Sequence, residues 1–206
     1  KYVFSPEYIN LFPRLQYIAL LRDYNGDGYI DIFSYGYTGI SVYKNIMKET
    51  GKLEFQLMSN QLLSDYYGMS LNLYVTYVDI PAIVDIDNDG DLDILAFAVL
   101  ADKIHLHRNI SMEKYGVPDS LEYVLENDFW GNICESEDNN KIYFGNECNL
   151  KTTDADNQTL HVGSSLFVYD FNGDGKKDVI IGDMDYPNVV LLYNETDNIN
   201  AKMSKN

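Results

Sequence analysis

The sequence predicts an all-β fold, a β-propeller built of four-stranded blades, and a fragment of a longer propeller rather than a closed ring. Three observations predict it. The acidic stretches DYNGDGYID, DIDNDGDLD and DFNGDGKKD begin at Asp23, Asp85 and Asp170 and share the pattern D-x-[DN]-x-D-G-x-x-D. Each has an apolar run before it and two more after it, with Gly, Asn and Asp gathered in the turns. Those runs are rich in β-branched and aromatic residues, which suit a half-buried pleated surface, and no helical periodicity of useful length interrupts them.

The elements follow in order. Residues 17–21, 81–84 and 165–169 form the runs entering the acidic loops, and YIDIFSY, LDILAFAV and KDVIIGD leave them. After a turn come GISVYKN, KIHLHRN and NVVLLYN, which close on Asn45, Asn109 and Asn194, 22, 24 and 24 residues after the first Asp of each loop. A fourth run, LEFQLM or LEYVLE, follows twice, and the chain is expected to end before a third copy. A unit of four strands recurring at roughly 60 residues reads as a propeller blade. Residues 1–206 are therefore read as a partial propeller: a first blade region over 1–60, a second over 61–130, a cysteine-containing insertion over 131–160, and a third, incomplete blade over 161–206. Rings close with about four to eight blades, so the remaining blades are expected in a longer chain, and the terminal strands are expected to expose sheet edges.

Bulk properties narrow the partners. The chain has 206 residues, 46% of them hydrophobic and 14% aromatic, which is enough for a core. Its net charge of −17 makes nucleic acid and anionic membrane surfaces poor partners, because phosphate binding needs clustered Lys and Arg. No apolar run approaches the ~20 residues of a membrane span. The sequence starts at Lys1, so any targeting segment would lie outside it. Cys134 and Cys148 are either two reduced core thiols or a disulfide; their polar, loop-like surroundings favour the disulfide and with it an extracellular setting.

Carboxylates this close repel one another unless a cation sits among them. Oxygens at loop positions 1, 3, 5 and 9, a backbone carbonyl at position 7 and a turn-permitting glycine at position 6 suit a hard ion with six to eight oxygen ligands, of which calcium (Ca2+) is the usual case. About three ions are expected. The first would take Asp23, Asn25, Asp27, Asp31 and the Tyr29 carbonyl; the second Asp85, Asp87, Asp89, Asp93 and the Asp91 carbonyl; the third Asp170, Asn172, Asp174, Asp178 and the Lys176 carbonyl. Lys176 and Lys177 should weaken the third site. An EF-hand would need a glutamate at position 12 and flanking helices. Position 12 is Ser34, Ala96 and Ile181, and the flanks are strand-like.

These loops, D-x-[DN]-x-D-G-x-x-D-[ILV] inside four-stranded units, resemble FG-GAP/VCBS repeats, the kind that build the integrin α-subunit propeller. The closing VYKN, LHRN and LLYN are similar to the bacterial secreted version. The resemblance covers about residues 15–200, least typically in the cysteine insertion. It implies a calcium-stiffened propeller on a secreted or cell-surface protein, with adhesion or ligand-binding duties.

Other constellations are weaker. His105 and His107 share a strand face but lack a third metal ligand, and read as surface residues; His161 is isolated. GSS at 163–165 is not a nucleophile elbow. Asn109, Asn157 and Asn194 fit the N-glycosylation sequon, as chance allows in an Asn-rich chain. Tyr66, Tyr67 and Tyr74 fall in the connection leading into the second blade; tyrosines here read first as strand filling, and the alternative is exposed rings that meet a sugar or a protein. The expected function is non-catalytic calcium binding that serves adhesion or recognition of a protein or glycan ligand. The alternative is a propeller-based polysaccharide lyase or hydrolase with a polar cleft near Trp130, although no sequence feature names a catalytic residue.

Overall fold

The computed structural model describes residues 3–98, 102–136, 141–150, 164–184 and 186–205. Three mostly antiparallel arrays succeed one another along the chain. Strands β1 (Ala19–Arg22), β2 (Asp31–Tyr35), β3 (Ile40–Asn45) and β4 (Phe55–Ser59) pair in sequence order. A hairpin of β5 (Leu63–Tyr66) and β6 (Met69–Asn72) leads to β7 (Ala82–Val84), β8 (Asp93–Phe97), β9 (Lys103–Asn109) and β10 (Tyr123–Glu135). These lie in the order β6-β5-β10-β9-β8-β7, with β5 parallel to β10 and β11 (Ile142–Phe144) added to the far half of β10. The third array holds β12 (Ser164–Tyr169), β13 (Asp178–Asp183), β14 (Val189–Asn194) and β15 (Met203–Ser204) in sequence order. The helices α1 (Met47–Thr50) and α2 (Ser111–Tyr115) are single turns that follow β3 and β9.

The arrays stack through two cores. Phe33, Ile40 and Val42 of the first meet Ile83, Ile94, Ala96 and Tyr123 of the second, with Leu62 and Leu73 sealing the gap. Leu95, Phe97, Ile104, Leu106 and Trp130 meet Leu166, Val168, Val179, Ile181 and Leu192 of the third. Strand β8 therefore feeds alternate side chains into opposite cores, and all five of its residues are buried. This explains why LDILAFAV shows no polar alternation: a strand covered on both faces reads as a continuous apolar run. The expectation of an all-β, propeller-like fragment is met by this stack.

Three details differ from the sequence reading. The connection SDYYGMSLN is a β-hairpin whose turn residues Tyr67 and Gly68 have φ of 55° and 94°. Two left-handed residues at a two-residue turn match the type I′ twist, but the first place is usually Asn or Asp, so Tyr67 hides it. A fourth strand does appear in the third array. It is the two-residue β15, which pairs with β14 at Tyr193↔Ser204 and Asn194↔Met203 and buries Met203. Too short to show a strand pattern, it is specified by the edge it joins. Third, β10 runs unbroken from Tyr123 to Glu135 across the expected boundary at 130/131, with register shifts against β9 after Leu125, Asn127 and Trp130.

No helix among the described residues is long and apolar enough to cross a membrane. Cys134 and Cys148 form a disulfide that ties β10 to the turn after β11. Much of the expected 131–160 insertion, with Asn157, and also His161 and Gly163 lie outside the described residues.

Candidate metal centre

The acidic loops join β1 to β2, β7 to β8 and β12 to β13, and all three have one hydrogen-bond pattern. The amide of position 5 donates to the carboxylate of position 1 at 3.2 Å in every copy: Asp27 to Asp23, Asp89 to Asp85, Asp174 to Asp170. The glycine amide at position 6 donates to the other oxygen of position 1, at 2.8, 3.2 and 2.9 Å. The amide of position 5 also reaches the side-chain oxygen of position 3, namely Asn25, Asp87 and Asn172. Tyr29, Asp91 and Lys176 donate their amides to the position-5 carboxylate at 2.9, 3.0 and 2.9 Å.

This winding requires positive φ twice. Position 6 is glycine at 88°, 107° and 83°. Position 4, which the sequence reading passed over, is Gly26 at 67°, Asn88 at 63° and Gly173 at 79°. Asn tolerates the left-handed region better than other side chains, which is the signal that could have found it.

The position-9 aspartates do something different. Asp31, Asp93 and Asp178 are each 0% exposed, and both oxygens of each accept a backbone amide. One donor is position 2 of the same loop, from Tyr24, Ile86 and Phe171 at 3.1, 2.8 and 3.0 Å. The other is the asparagine that closes the third strand, from Asn45, Asn109 and Asn194 at 2.7, 2.8 and 2.9 Å. Each asparagine side chain then accepts an amide from the following turn: Met47, Ser111 and Thr196. These aspartates hold the loop against β3, β9 and β14. Burial pushes the Asp31 carboxyl up to about 6 and that of Asp93 up to about 8, against the two amide donors, which favour the ion.

The three loops differ in what they present to an ion. Oxygens of Asp85, Asp87 and Asp89 lie within 4.8 Å of one another. In the first and third loops position 3 is an asparagine, and its Nδ2 donates to the position-5 carboxylate, Asn25 to Asp27 at 3.1 Å and Asn172 to Asp174 at 3.3 Å. Lys176 Nζ adds a contact of 3.8 Å to Asp174. Asp87 has no such hydrogen to give, and Asp89 Oδ2 is left buried without a hydrogen-bond partner. A buried carboxylate oxygen without a donor is costly, and a cation would satisfy it. The donor set, all oxygen and mostly carboxylate, fits calcium.

The remaining candidates settle elsewhere. Trp130 is 0% exposed and donates Nε1 to the Asn198 carbonyl at 2.7 Å, so it anchors the second core and lines no cleft. His105 and His107 do share a face, with rings 5.9 Å apart. His107, however, is buried rather than superficial, with Nδ1 2.9 Å from Ser64 Oγ, because the β5–β6 hairpin covers it. Asn109 and Asn194 are buried and bonded as described, and are closed to glycosylation. Tyr67 and Tyr74 are exposed. A larger aromatic patch, missed in the sequence because its members are distant in the chain, packs Tyr17 against Tyr35 and Tyr77 at 5.5 and 5.0 Å.

Residues 23–96 match the family model of the FG-GAP-like repeat. No curated protein matches the chain. Among solved structures, an Agrocybe aegerita lectin, studied for its recognition of non-reducing terminal N-acetylglucosamine, aligns at 16% identity with a TM-score of 0.40. The alignment covers 91% of this chain and 50% of that one, so the chain spans half the length of the lectin.

Proposed function

We propose, from the premise that this chain carries an FG-GAP-like repeat, that it is a non-catalytic, calcium-binding segment of a β-propeller from a secreted or cell-surface protein, serving adhesion or the recognition of a protein or glycan ligand. The observation that carries the reading is the convergence of Asp85, Asp87 and Asp89 around the partnerless Asp89 Oδ2. Loops one and three, with the same backbone bonds, are the further sites, giving about three ions. Each ion would tie the turn between the first two strands of a blade, and so stiffen the rim on which recognition depends. The disulfide supports an oxidising, extracellular setting.

The test is a calorimetric calcium titration of metal-stripped protein, alongside Asp85→Asn and Asp87→Ala. Saturable binding that loses one equivalent in either variant is the expected result. No heat and no stoichiometric binding by the wild-type chain would refute the proposal.

A further inference from the structure

The second loop departs from the other two at position 7. There Asp91 stands where the first and third have Tyr29 and Lys176. Asp91 is 0% exposed; its Oδ2 accepts the Met112 amide of α2 at 2.9 Å, and its Oδ1 is buried with no hydrogen-bond partner. Oxygens of Asp89, Asp91 and Glu113 lie within 4.8 Å of one another. Glu113 comes from α2, twenty residues past the loop, so three carboxylates from two elements converge on one point.

We infer that this group is a second cation subsite of the same blade, separate from the Asp85–Asp87–Asp89 position and joined to it through Asp89, so that the second loop holds a pair of hard divalent cations. The inference rests on the calcium reading of that loop. Two of its three members, Asp89 and Asp91, have a buried oxygen without a donor. Burying such an oxygen in a low-dielectric site costs free energy unless a proton or a cation meets it. Arg108 is the cation that reaches the region, and it is shared: it contacts Glu113, Asp87 at 3.9 Å and Glu126 at 3.2 Å. It bonds Oε1 of Glu113, which leaves Oε2 for an ion. A bridging carboxylate between two ions roughly 3.5–4 Å apart is the usual geometry of paired metal sites. The first array supplies a contrast. Glu49 occupies the corresponding place on α1 and is likewise paired, with Lys44 at 2.8 Å, but position 7 of the first loop is Tyr29, so no third carboxylate joins it.

Calcium binding to metal-stripped wild-type chain, Asp91→Asn, Glu113→Gln and Asp87→Ala, counted by calorimetry and by native mass spectrometry, decides the matter. Asp91→Asn keeps an acceptor for the Met112 amide, and Glu113→Gln lies on an exposed turn; metal-free thermal melts of both check that the fold is kept. Both variants should bind one calcium fewer than wild type, while Asp87→Ala loses the neighbouring ion. If both variants bind as many ions as wild type, the second subsite is refuted and the loop site stands. A wild-type chain that binds none overturns both.

Discussion

The carboxylate of Asp93 accepts the backbone amide of Asn109 at 2.8 Å, sixteen residues away, and the same bond joins Asp31 to Asn45 and Asp178 to Asn194. With the second bond from position 2 of the loop, each aspartate satisfies two backbone amides. The acidic loop and the end of the third strand are thereby one unit before any ion is considered.

Replacing Asp93 or Asp178 by alanine should therefore destabilise even the metal-free chain. Two buried donors lose their acceptor, at about 1–3 kcal/mol each. Urea unfolding in chelator should show a loss of about 3 kcal/mol. Asp85→Ala, at the half-exposed first position, should change the metal-free value far less. Equal losses for Asp85→Ala and Asp93→Ala would contradict the division of labour within the loop.

Calcium should raise stability by mass action. A site held at 100 times its dissociation constant contributes about 2.7 kcal/mol. Differential scanning calorimetry should show the melting temperature rising with free calcium and falling on chelation. A melt indifferent to calcium, with metal removal verified, would leave the loops without their proposed occupant.

His107 makes stability sensitive to acid. Burial, and next the neighbouring His105, push its imidazole down to about 3, below the ~6.5 of an unfolded chain. The unfolded state thus binds the proton first, and the stabilisation is complete above pH 6.5 and lost as pH falls from there towards 3. The contribution is about 1.4 kcal/mol per pH unit in that window. Denaturation of wild type and His107→Gln at pH 7.5 and 5.5 should show the wild type losing more, the difference isolating this group from the carboxylates.

The Cys134–Cys148 bridge spans fourteen residues. A loop of that size contributes roughly 3 kcal/mol through the unfolded chain. A thiol assay on the unfolded, unreduced protein should find none free, and the double Ala variant should unfold at lower denaturant by about that amount.

What could be read in advance followed from local pattern. The three strands around each acidic loop (β1–β3, β7–β9 and β12–β14) announce themselves through the loop and the closing asparagine. The β5–β6 hairpin does not, since Tyr67 adopts a left-handed backbone that a tyrosine rarely takes. Strand β10 is disguised by its own irregularity: Gly131 and Asn132, both at positive φ, read as loop residues inside a thirteen-residue strand. The position-9 aspartates were expected to hold an ion, and their bonds to Asn45, Asn109 and Asn194 escaped notice because a ligand motif says nothing about distant amides. Glu113 was invisible for a related reason: it lies outside the motif and arrives only through the turn of α2.

Strand β8 gives alternate side chains to two different cores, and that has a consequence for how the chain comes apart. Either outer array can peel away and expose only one face of β8, so the amides of Ile94, Leu95 and Ala96 stay protected through every partial opening. They should be the last in the molecule to exchange with deuterium, reporting global unfolding while the outer strands report separate, shallower openings. The middle of the molecule is its keystone, and loss of either neighbour uncovers one of its two faces.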